Sequence, residues 1–519
     1  MIKGGVDVHL VELELPNYRG LRDFHLNLHD ARDVGVLVGR NGRGKSRVLH
    51  ALVEIFGSLR RSKKASFSYG VKYIHGDLAV HVVQKTAGSQ PTMKISASGR
   101  AAEQVNGAHW HHHLPDHVFG YQASGESVWD EEFERHAKAD LDAARKQGMD
   151  RLESQPGLRS LFQCDGRHLP LILLALLPDW SERFSRYTEK HVGIQGFASA
   201  DLTVRRPPWF RNSSHAALPY WGLQGFAPTL FDQVASMGRF GAIPDSSIPS
   251  NYDDFRITIA APDDLASFLG LFASDATMFA TLERLQTAEI LTADVRLITS
   301  SGDQIRPQDL SAGEQQMLVV LGMLRLQRGE ESLFLLDEPA SHFHPAWSQS
   351  WYASIREMLE DGQRSQFIAT THDPALVSNV PREQLRILRR ANDGSTCAEM
   401  PADDPRGRGV GGILTSELYG LTSQLDSYTQ MLIDEQYELA GRRKLSHDEL
   451  DRLRELNEKL EELGFAPSHR EKAVELFLAE LDRRRKELIS SATGDSYPNS
   501  QELAALAAQL FDQRLTRGL

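Results

Sequence analysis

The stretch that decides the fold is GRNGRGKS, which runs from Gly39 to Ser46. The apolar residues 34–38 precede it, and helix-compatible sequence follows from Arg47. This context and spacing predict a phosphate-binding P-loop between a strand and a helix, whose N-terminal end adds positive charge. Its backbone N–H groups would wrap a polyphosphate, Lys45 would reach the β and γ oxygens, and Ser46 could bind Mg²⁺. The residues predicted to bind nucleotide here are Gly39, Asn41, Gly42, Gly44, Lys45, Ser46 and Arg47.

Two adjacent carboxylates end a later apolar run. Residues 333–336 form a strand-like segment that is followed at once by Asp337 and Glu338. Such acid pairs also occur in solvated turns. In a chain that also contains a P-loop, they indicate metal-assisted hydrolysis. We predict that Asp337 holds Mg²⁺ together with Ser46, and that Glu338 orients or polarises the attacking water. ATP and Mg²⁺ are therefore the predicted cofactors, with Lys45 and Glu338 as catalytic residues.

The segment Leu310–Gln316, LSAGEQQ, resembles the signature motif of ABC-type ATPases, with Ala312 in place of the first of two glycines. In that family the signature lies at a helix start and grips the γ-phosphate bound to the P-loop of the other subunit. The resemblance therefore implies a homodimer with composite ATP sites. It adds three residues to the predicted nucleotide site: Ser311, Gly313 and Glu314.

Further motifs indicate which class of ABC-type ATPase the chain resembles. His372 follows another strand-like run, residues 366–371, and matches the switch histidine that contacts the γ-phosphate in ABC-type ATPases. The resemblance therefore adds His372 to the predicted catalytic residues. The opening of the chain, with two strand-like runs around the turn at residues 17–20, resembles the RecF, SMC and OLD-type ATPases rather than transporter subunits. In that family this turn lies near the nucleotide. Residues 341–345, SHFHP, occupy the D-loop position and look more like OLD and related defence ATPases.

A glutamine after a strand completes the metal site in ABC-type ATPases. Gln122 follows the strand-like run 118–121 and is the predicted metal-contacting glutamine. Gln84, at the end of another alternating run, is the competing candidate.

The motifs predict an α/β protein, an ABC-ATPase head with a mixed central sheet and an N-terminal antiparallel β-subdomain. The long stretch between Ser46 and Ser311 predicts a large helical or irregular insertion, and two charged amphipathic runs, 445–463 and 470–488, predict a C-terminal helical hairpin. The predicted segments are an N-terminal lobe with the P-loop, an inserted region, a C-terminal lobe and a C-terminal helical region. Their bounds are 1–125, 126–292, 293–425 and 426–519.

Composition limits the partners. A net charge of -12 gives no global basic signature of nucleic-acid binding, so DNA or RNA could be bound only locally. The candidates are Arg205, Arg206 and Arg211, which lie beside aromatic residues in an irregular stretch, 205–252. Two distant cysteines fit a reducing compartment, and the longest apolar run, 171–177, predicts a buried helix and no membrane span. We predict a cytoplasmic protein.

Histidines cluster at positions 109, 111, 112 and 113, with another at 117, but no cysteine or carboxylate pattern completes a metal site there. We interpret this cluster as a solvated loop. No Toprim nuclease motif follows the ATPase motifs either.

The C-terminal tail resembles that of stand-alone ATPases of bacterial anti-phage systems, such as the Septu and retron-linked subunits. This resemblance implies a slow, regulatory, dimeric ATPase that acts as sensor or gate for an effector, a nuclease or toxin encoded nearby. The alternatives are a RecF-like DNA-binding ATPase in repair or recombination, and a scaffold that binds ATP but hardly hydrolyses it.

Overall fold

The computed structural model describes residues 8–97, 100–123, 129–146, 156–177, 188–210, 218–327, 330–359, 365–391, 393–421, 423–442 and 445–465, with three isolated positions beyond. The strands are β1 Val8–Tyr18, β2 Leu21–Asn27, β3 Val34–Val38, β4 Tyr69–His75, β5 Leu78–Gln84, β6 Thr92–Ala97, β7 Glu103–Val105, β8 His117–Gln122, β9 Leu161–Cys164, β10 Ile194–Arg205, β11 Asp254–Ile259, β12 Leu291–Thr299, β13 Gln304–Ile305, β14 Ser332–Asp337, β15 Gln366–Thr371, β16 Leu385–Arg390 and β17 Thr396–Glu399. The α-helices are α1 Lys45–Arg60, α2 Asp130–Lys146, α3 Leu169–Leu176, α4 Phe226–Ser236, α5 Pro262–Leu269, α6 Asp275–Thr287, α7 Ala312–Leu326, α8 Pro345–Leu359, α9 Pro374–Val377, α10 Gly409–Leu414, α11 Ser427–Ala440 and α12 His447–Glu462.

A seven-stranded sheet forms the centre, in the order β17-β16-β3-β15-β14-β8-β9. Every pairing in it is parallel except that between β16 and β17. Every residue of β3, β14 and β15 is buried, which explains why these strands are mostly apolar on both faces. The predicted mixed central sheet is confirmed.

The N-terminal subdomain is a six-stranded antiparallel sheet, in the order β2-β1-β4-β5-β6-β7. Its inner face carries alternating apolar residues, including Leu13, Val71 and Val82, and packs in one cluster with Val48 and Leu52 of α1. The predicted hairpin is the antiparallel pair of β1 and β2. This sheet therefore holds the helix that follows the P-loop.

A third sheet was not expected from the sequence. The strand β10 pairs antiparallel with β11 and β12, giving the order β11-β10-β12-β13. The stretch 205–252, predicted to be irregular, contains α4, and its Tyr220 and Trp221 are fully buried. These two aromatic side chains are core anchors and are not available to stack on bases.

The predicted segment boundaries cut across this architecture. The strand β9 and the buried helix α3 lie within the predicted insertion, yet β9 completes the central sheet and α3 packs in the main core. The predicted buried helix at 171–177 is thus found as α3. The four-segment division itself stays a prediction.

The C-terminal region contains a helical hairpin formed by α11 and α12. Leu432 and Leu439 of α11 pack against Leu456 and Leu460 of α12. The sequence predicts α12 but pairs it with residues 470–488, of which all but 483 and 484 lie outside the described residues. Among the described helices, none has the length and apolar character needed to cross a membrane.

A buried polar network ties the N-terminal turn to α1. The Tyr18 hydroxyl lies 2.6 Å from Nδ1 of His50 and 3.2 Å from Glu54 Oε2. Both contacts are satisfied when His50 is neutral and donates to Tyr18, which in turn donates to Glu54. Burial, with Arg19 adding a smaller effect, lowers the pKa of His50 to about 4.

This pKa predicts acid sensitivity. Because His50 takes up its proton near pH 6.5 when unfolded and near pH 4 when folded, its contribution to stability is fully present above pH 6.5 and is lost as pH falls towards 4. The loss amounts to about 3 kcal/mol at most. We expect His50→Gln to flatten the fall in unfolding free energy between pH 6.5 and 4, measured by urea denaturation. His447→Gln, at a side chain 88% exposed, is the control and should leave the slope unchanged.

Candidate nucleotide site

The P-loop joins the buried strand β3 to α1, as its spacing predicts. Gly44 has φ 99°, and a Cβ there would lie 2.6 Å from Cδ2 of Leu21. A Cβ at Gly39 would lie 2.8 Å from the backbone oxygen of Leu388. Both positions therefore require glycine. Gly44 needs it for the positive φ and the nearby Leu21 side chain, and Gly39 needs it because the Leu388 backbone lies so close.

Lys45 is buried, with its side chain 7% exposed. Its ammonium group donates to the Gly39 carbonyl at 2.8 Å and lies 3.8 Å from Glu338 Oε1. Burial lowers the pKa of Lys45, while the charges of Glu338 and Asp337 oppose that shift. The Lys45 ammonium group is thus held inside the loop by two contacts, and a bound phosphate could replace both of them.

Ser46 and Asp337 lie together at the carboxyl end of the sheet. The Ser46 hydroxyl donates to Asp337 Oδ1 at 3.0 Å, and the Thr370 hydroxyl donates to the same oxygen. Burial raises the pKa of Asp337, and the hydrogen bonds from Thr370 and Ser46 work against that rise. A carboxylate and a hydroxyl side by side are ligands that Mg²⁺ accepts, so these residues fit the predicted ion.

Glu338 has an unusual backbone conformation, with φ 53° in the left-handed region. Its N–H donates to the carbonyl of Thr370 at 3.1 Å and lies 3.2 Å from the Thr370 hydroxyl. Its carboxylate accepts from the backbone N–H of His372 at 3.2 Å and lies 2.9 Å from Nδ1 of that histidine. A non-glycine residue held in this region is a common feature of functional sites.

Thr370 was missed by the sequence analysis. Its hydroxyl contacts both acidic residues of the pair, and its backbone is level with Asp337 across the parallel pairing of β14 and β15. Its position could have indicated this role, because Thr370 lies near the end of β15, just before the predicted site residue His372. Gln316 of the signature helix was also missed, and its amide donates to the Glu338 carbonyl at 3.3 Å.

The two candidate glutamines have different environments. Gln122 ends β8 directly opposite Asp337, and its side-chain oxygen accepts from the indole of Trp129. Gln84 is 1% exposed, and its amide bonds the backbone of Ala65, Phe67 and Thr86. Gln84 is therefore structural, and Gln122 is the glutamine that lies beside the predicted metal site.

The signature segment forms the start of α7. Ser311 is the exposed N-cap, and its hydroxyl lies 2.8 Å from Glu314 Oε2 and 3.4 Å from Glu314 N. Gly313 is packed on the D-loop, since a Cβ there would lie 2.6 Å from the His342 carbonyl. An exposed serine at a helix start matches the surface that a second subunit's γ-phosphate would need.

The remaining residues of the predicted loop lie near its surface. Asn41, Gly42 and Arg47 are exposed on the loop and the first turn of α1. The Arg47 guanidinium lies against Gly20, where a Cβ would be 2.9 Å from its Nη1. The turn at residues 17–20 is thus brought beside the P-loop helix.

Other candidate residues are not brought to this site. Arg205 is exposed at the end of β10, and Arg206 pairs with Asp253 at 2.9 Å. Arg211 lies outside the described residues. Of the three arginines predicted to bind nucleic acid, Arg205 is therefore the exposed one among the described residues.

The histidine cluster lies on a short 3₁₀ segment, Gly107–His113, where the rings of His111 and His112 lie 3.8 Å apart. Within the described residues, the group with metal-ligating geometry is a different one, formed by Glu12, Glu14 and His25. Glu12 is already paired with a lysine of β4.

Residues 170–378 match the profile of the family described as "AAA domain, putative AbiEii toxin, Type IV TA system". The Septu protein PtuA of Bacillus mycoides is 24% identical over 193 residues, which are 35% of this chain and 27% of that protein. Protein ea59 of Escherichia phage lambda is 27% identical over 123 residues, 24% of this chain and 23% of that protein. The chain thus matches about a quarter of the length of these curated relatives.

Among solved structures, the SMC head domain from Thermotoga maritima matches with a TM-score of 0.34 and 12% identity, over 76% of this chain and 100% of that one. The recombination mediator RecF bound to ATP matches with a TM-score of 0.30 and 12% identity, over 72% and 94%. This chain is therefore similar to ABC-type ATPases of the RecF/SMC/OLD-like class. The family match over residues 170–378 and the similarity to PtuA support this, as do the P-loop, the acidic pair and the switch histidine, which meet at one sheet edge.

Proposed function

We propose that this chain is a dimeric, slow ATPase whose two composite sites open and close to gate an effector protein in bacterial defence against phage. The observation that carries the hydrolytic part is the meeting of Lys45, Ser46, Asp337, Glu338 and His372 at the carboxyl edge of the central sheet. These five side chains lie at the start of α1 and at or just after the ends of β14 and β15, and about 290 residues separate α1 from the acidic pair.

Each side chain has a role that its contacts support. Lys45, already desolvated, would transfer its contact from Glu338 to the phosphates and stabilise developing charge. Ser46 and Asp337 would hold Mg²⁺, which neutralises phosphate charge when bound. Glu338 would orient water and accept its proton, and His372 would turn from Glu338 to the γ-phosphate.

The signature segment supports the proposed dimer. Ser311 and the N-terminal N–H groups of α7 point an anion-binding helix end at solvent. The P-loop that faces this helix end would belong to a second copy of the chain. We therefore propose two ATP sites, each made from the P-loop of one subunit and the signature of the other.

The defence role rests on similarity. The match to a protein named Septu protein PtuA and to a family named for AbiEii supports a place among anti-phage or toxin systems. The effector, a nuclease or toxin, is proposed to be encoded nearby and held by this ATPase. We propose a cytoplasmic location, as the two cysteines are free in the structure.

The experiment is to express this chain with its two genomic neighbours, purify it with ATP and Mg²⁺, and identify the proteins that co-elute by mass spectrometry. A nuclease-like or toxin-like partner in fixed stoichiometry, with measurable ATP hydrolysis, is the expected result. A chain that elutes alone as a dimer, binds DNA in a salt-dependent way and is stimulated by it would instead support the RecF-like alternative. ATP binding without turnover would support the scaffold.

A further inference from the structure

Thr370 is the penultimate residue of β15 and is fully buried. It lies level with Asp337 across the parallel pairing of β14 and β15. Its hydroxyl donates to Asp337 Oδ1 and accepts from the backbone N–H of Glu338 at 3.2 Å. A hydroxyl can donate one hydrogen bond and accept others, so both bonds form at once. One side chain therefore connects the two residues of the acidic pair.

Neither acidic residue depends on this hydroxyl for its only hydrogen bond. Asp337 Oδ1 also accepts from Ser46 at 3.0 Å, and the Glu338 N–H also donates to the Thr370 carbonyl at 3.1 Å. A valine at position 370 would suit the buried strand, because valine has the same branched shape and a high β propensity. The hydroxyl therefore adds a second contact to each acidic residue, and this contact fixes its orientation.

Glu338 needs such contacts because of its backbone conformation. Its φ is 53°, and a non-glycine residue keeps a left-handed conformation only where its surroundings hold it there. The Thr370 hydroxyl holds the N–H side of this residue, and the amide of buried Gln316 donates to its carbonyl at 3.3 Å. If Glu338 returned to a negative φ, its side chain would point elsewhere. The carboxylate would then leave its place 3.8 Å from Lys45 Nζ.

We propose that Thr370 is a positioning residue whose hydroxyl orients the Asp337 carboxylate for the metal ion and holds Glu338 in place for the attacking water. This inference rests on the proposed Mg²⁺-dependent ATP hydrolysis and deepens it, because one buried hydroxyl then sets the geometry of both acids. Removing a residue that holds a metal ligand by a hydrogen bond typically costs about 10- to 100-fold in metal affinity or activity.

The test is Thr370→Val in the full chain, which removes the hydroxyl and keeps the side-chain shape. At saturating Mg²⁺ we expect kcat for ATP hydrolysis to fall about 10- to 100-fold, with KM for ATP within about twofold because the P-loop is untouched. Binding of Mn²⁺ in the presence of ADP, measured by electron paramagnetic resonance, should weaken about tenfold. The Tm should fall by about 2–4 °C at most, as for one lost hydrogen bond.

Two variants separate this role from a structural one. Thr370→Ser keeps the hydroxyl and should keep both kcat and Mn²⁺ affinity within about threefold of the wild type. Thr258→Val is the matched control. Thr258 of β11 also lies directly opposite an aspartate on the neighbouring strand, Asp201, and donates to its Oδ1 at 2.8 Å. It belongs to the third sheet, so its loss should leave kcat and Mn²⁺ affinity unchanged.

Three results would overturn the inference. They are wild-type kcat and Mn²⁺ affinity in Thr370→Val, losses no larger than those of Thr258→Val, and a Thr370→Ser protein as impaired as Thr370→Val. A wild-type chain that binds nucleotide without hydrolysing it would instead remove the proposed hydrolytic function. The Mn²⁺ measurement would still decide the role of Thr370, so the two failures are distinguishable.

Discussion

Replacing Glu338 by Gln is expected to reduce kcat for ATP hydrolysis by about 10²–10³-fold while ATP still binds. The amide keeps the size of the side chain but cannot accept the proton of the attacking water. It also removes a negative charge that lies 3.8 Å from Lys45, so the lysine is freer to engage phosphate. ATP should therefore be trapped and the dimer stabilised. Turnover by phosphate release and mass by light scattering with ATP and Mg²⁺ measure the two effects.

Glu383→Gln is the control for this substitution. Glu383 is half exposed and lies just before β16, at the opposite end of the sheet from the site. It makes the same chemical change without touching the acidic pair, so turnover should stay within twofold of the wild type. A Glu338→Gln protein that hydrolyses ATP at the wild-type rate would show that Glu338 is not the base and would return the chain to the scaffold alternative.

The site was predictable because its residues follow strands of one parallel sheet. Asp337, His372 and the P-loop each lie at the end of a fully buried strand, and the carboxyl ends of parallel strands meet at one edge. The order of the motifs therefore fixed which side chains meet. The central sheet and the N-terminal hairpin followed from the same periodicity, and both are found in the structure.

The third sheet was not predictable in the same way. The strand β10 mixes buried and half-exposed residues, and its partners β11 and β12 lie about 50 and 90 residues away, so no local turn announces the pairing.

The second large effect is restoration of activity by mixing two inactive variants. Lys45→Ala removes the phosphate-contacting cation of the P-loop, and Ser311→Arg blocks the signature surface with a bulky cation. Each should lose at least 90% of turnover alone, at about the level expected when a main phosphate contact is removed. A mixed dimer has one site built from an intact P-loop and an intact signature. Random exchange would make half the dimers mixed, so about a quarter of wild-type turnover should return.

Restoration distinguishes a site shared between subunits from one built within a single chain. If Ser311 acted on its own subunit's nucleotide, both sites of every mixed dimer would be defective and mixing would restore nothing. Exchange is verified by co-purification through different tags on the two variants. Ser446→Arg is the matched control, because Ser446 is also an N-cap with a capping box, in α12. It should lose a similar amount of helix-cap stability, about 1 kcal/mol, and keep its turnover, which separates the loss of a cap from the loss of a trans contact.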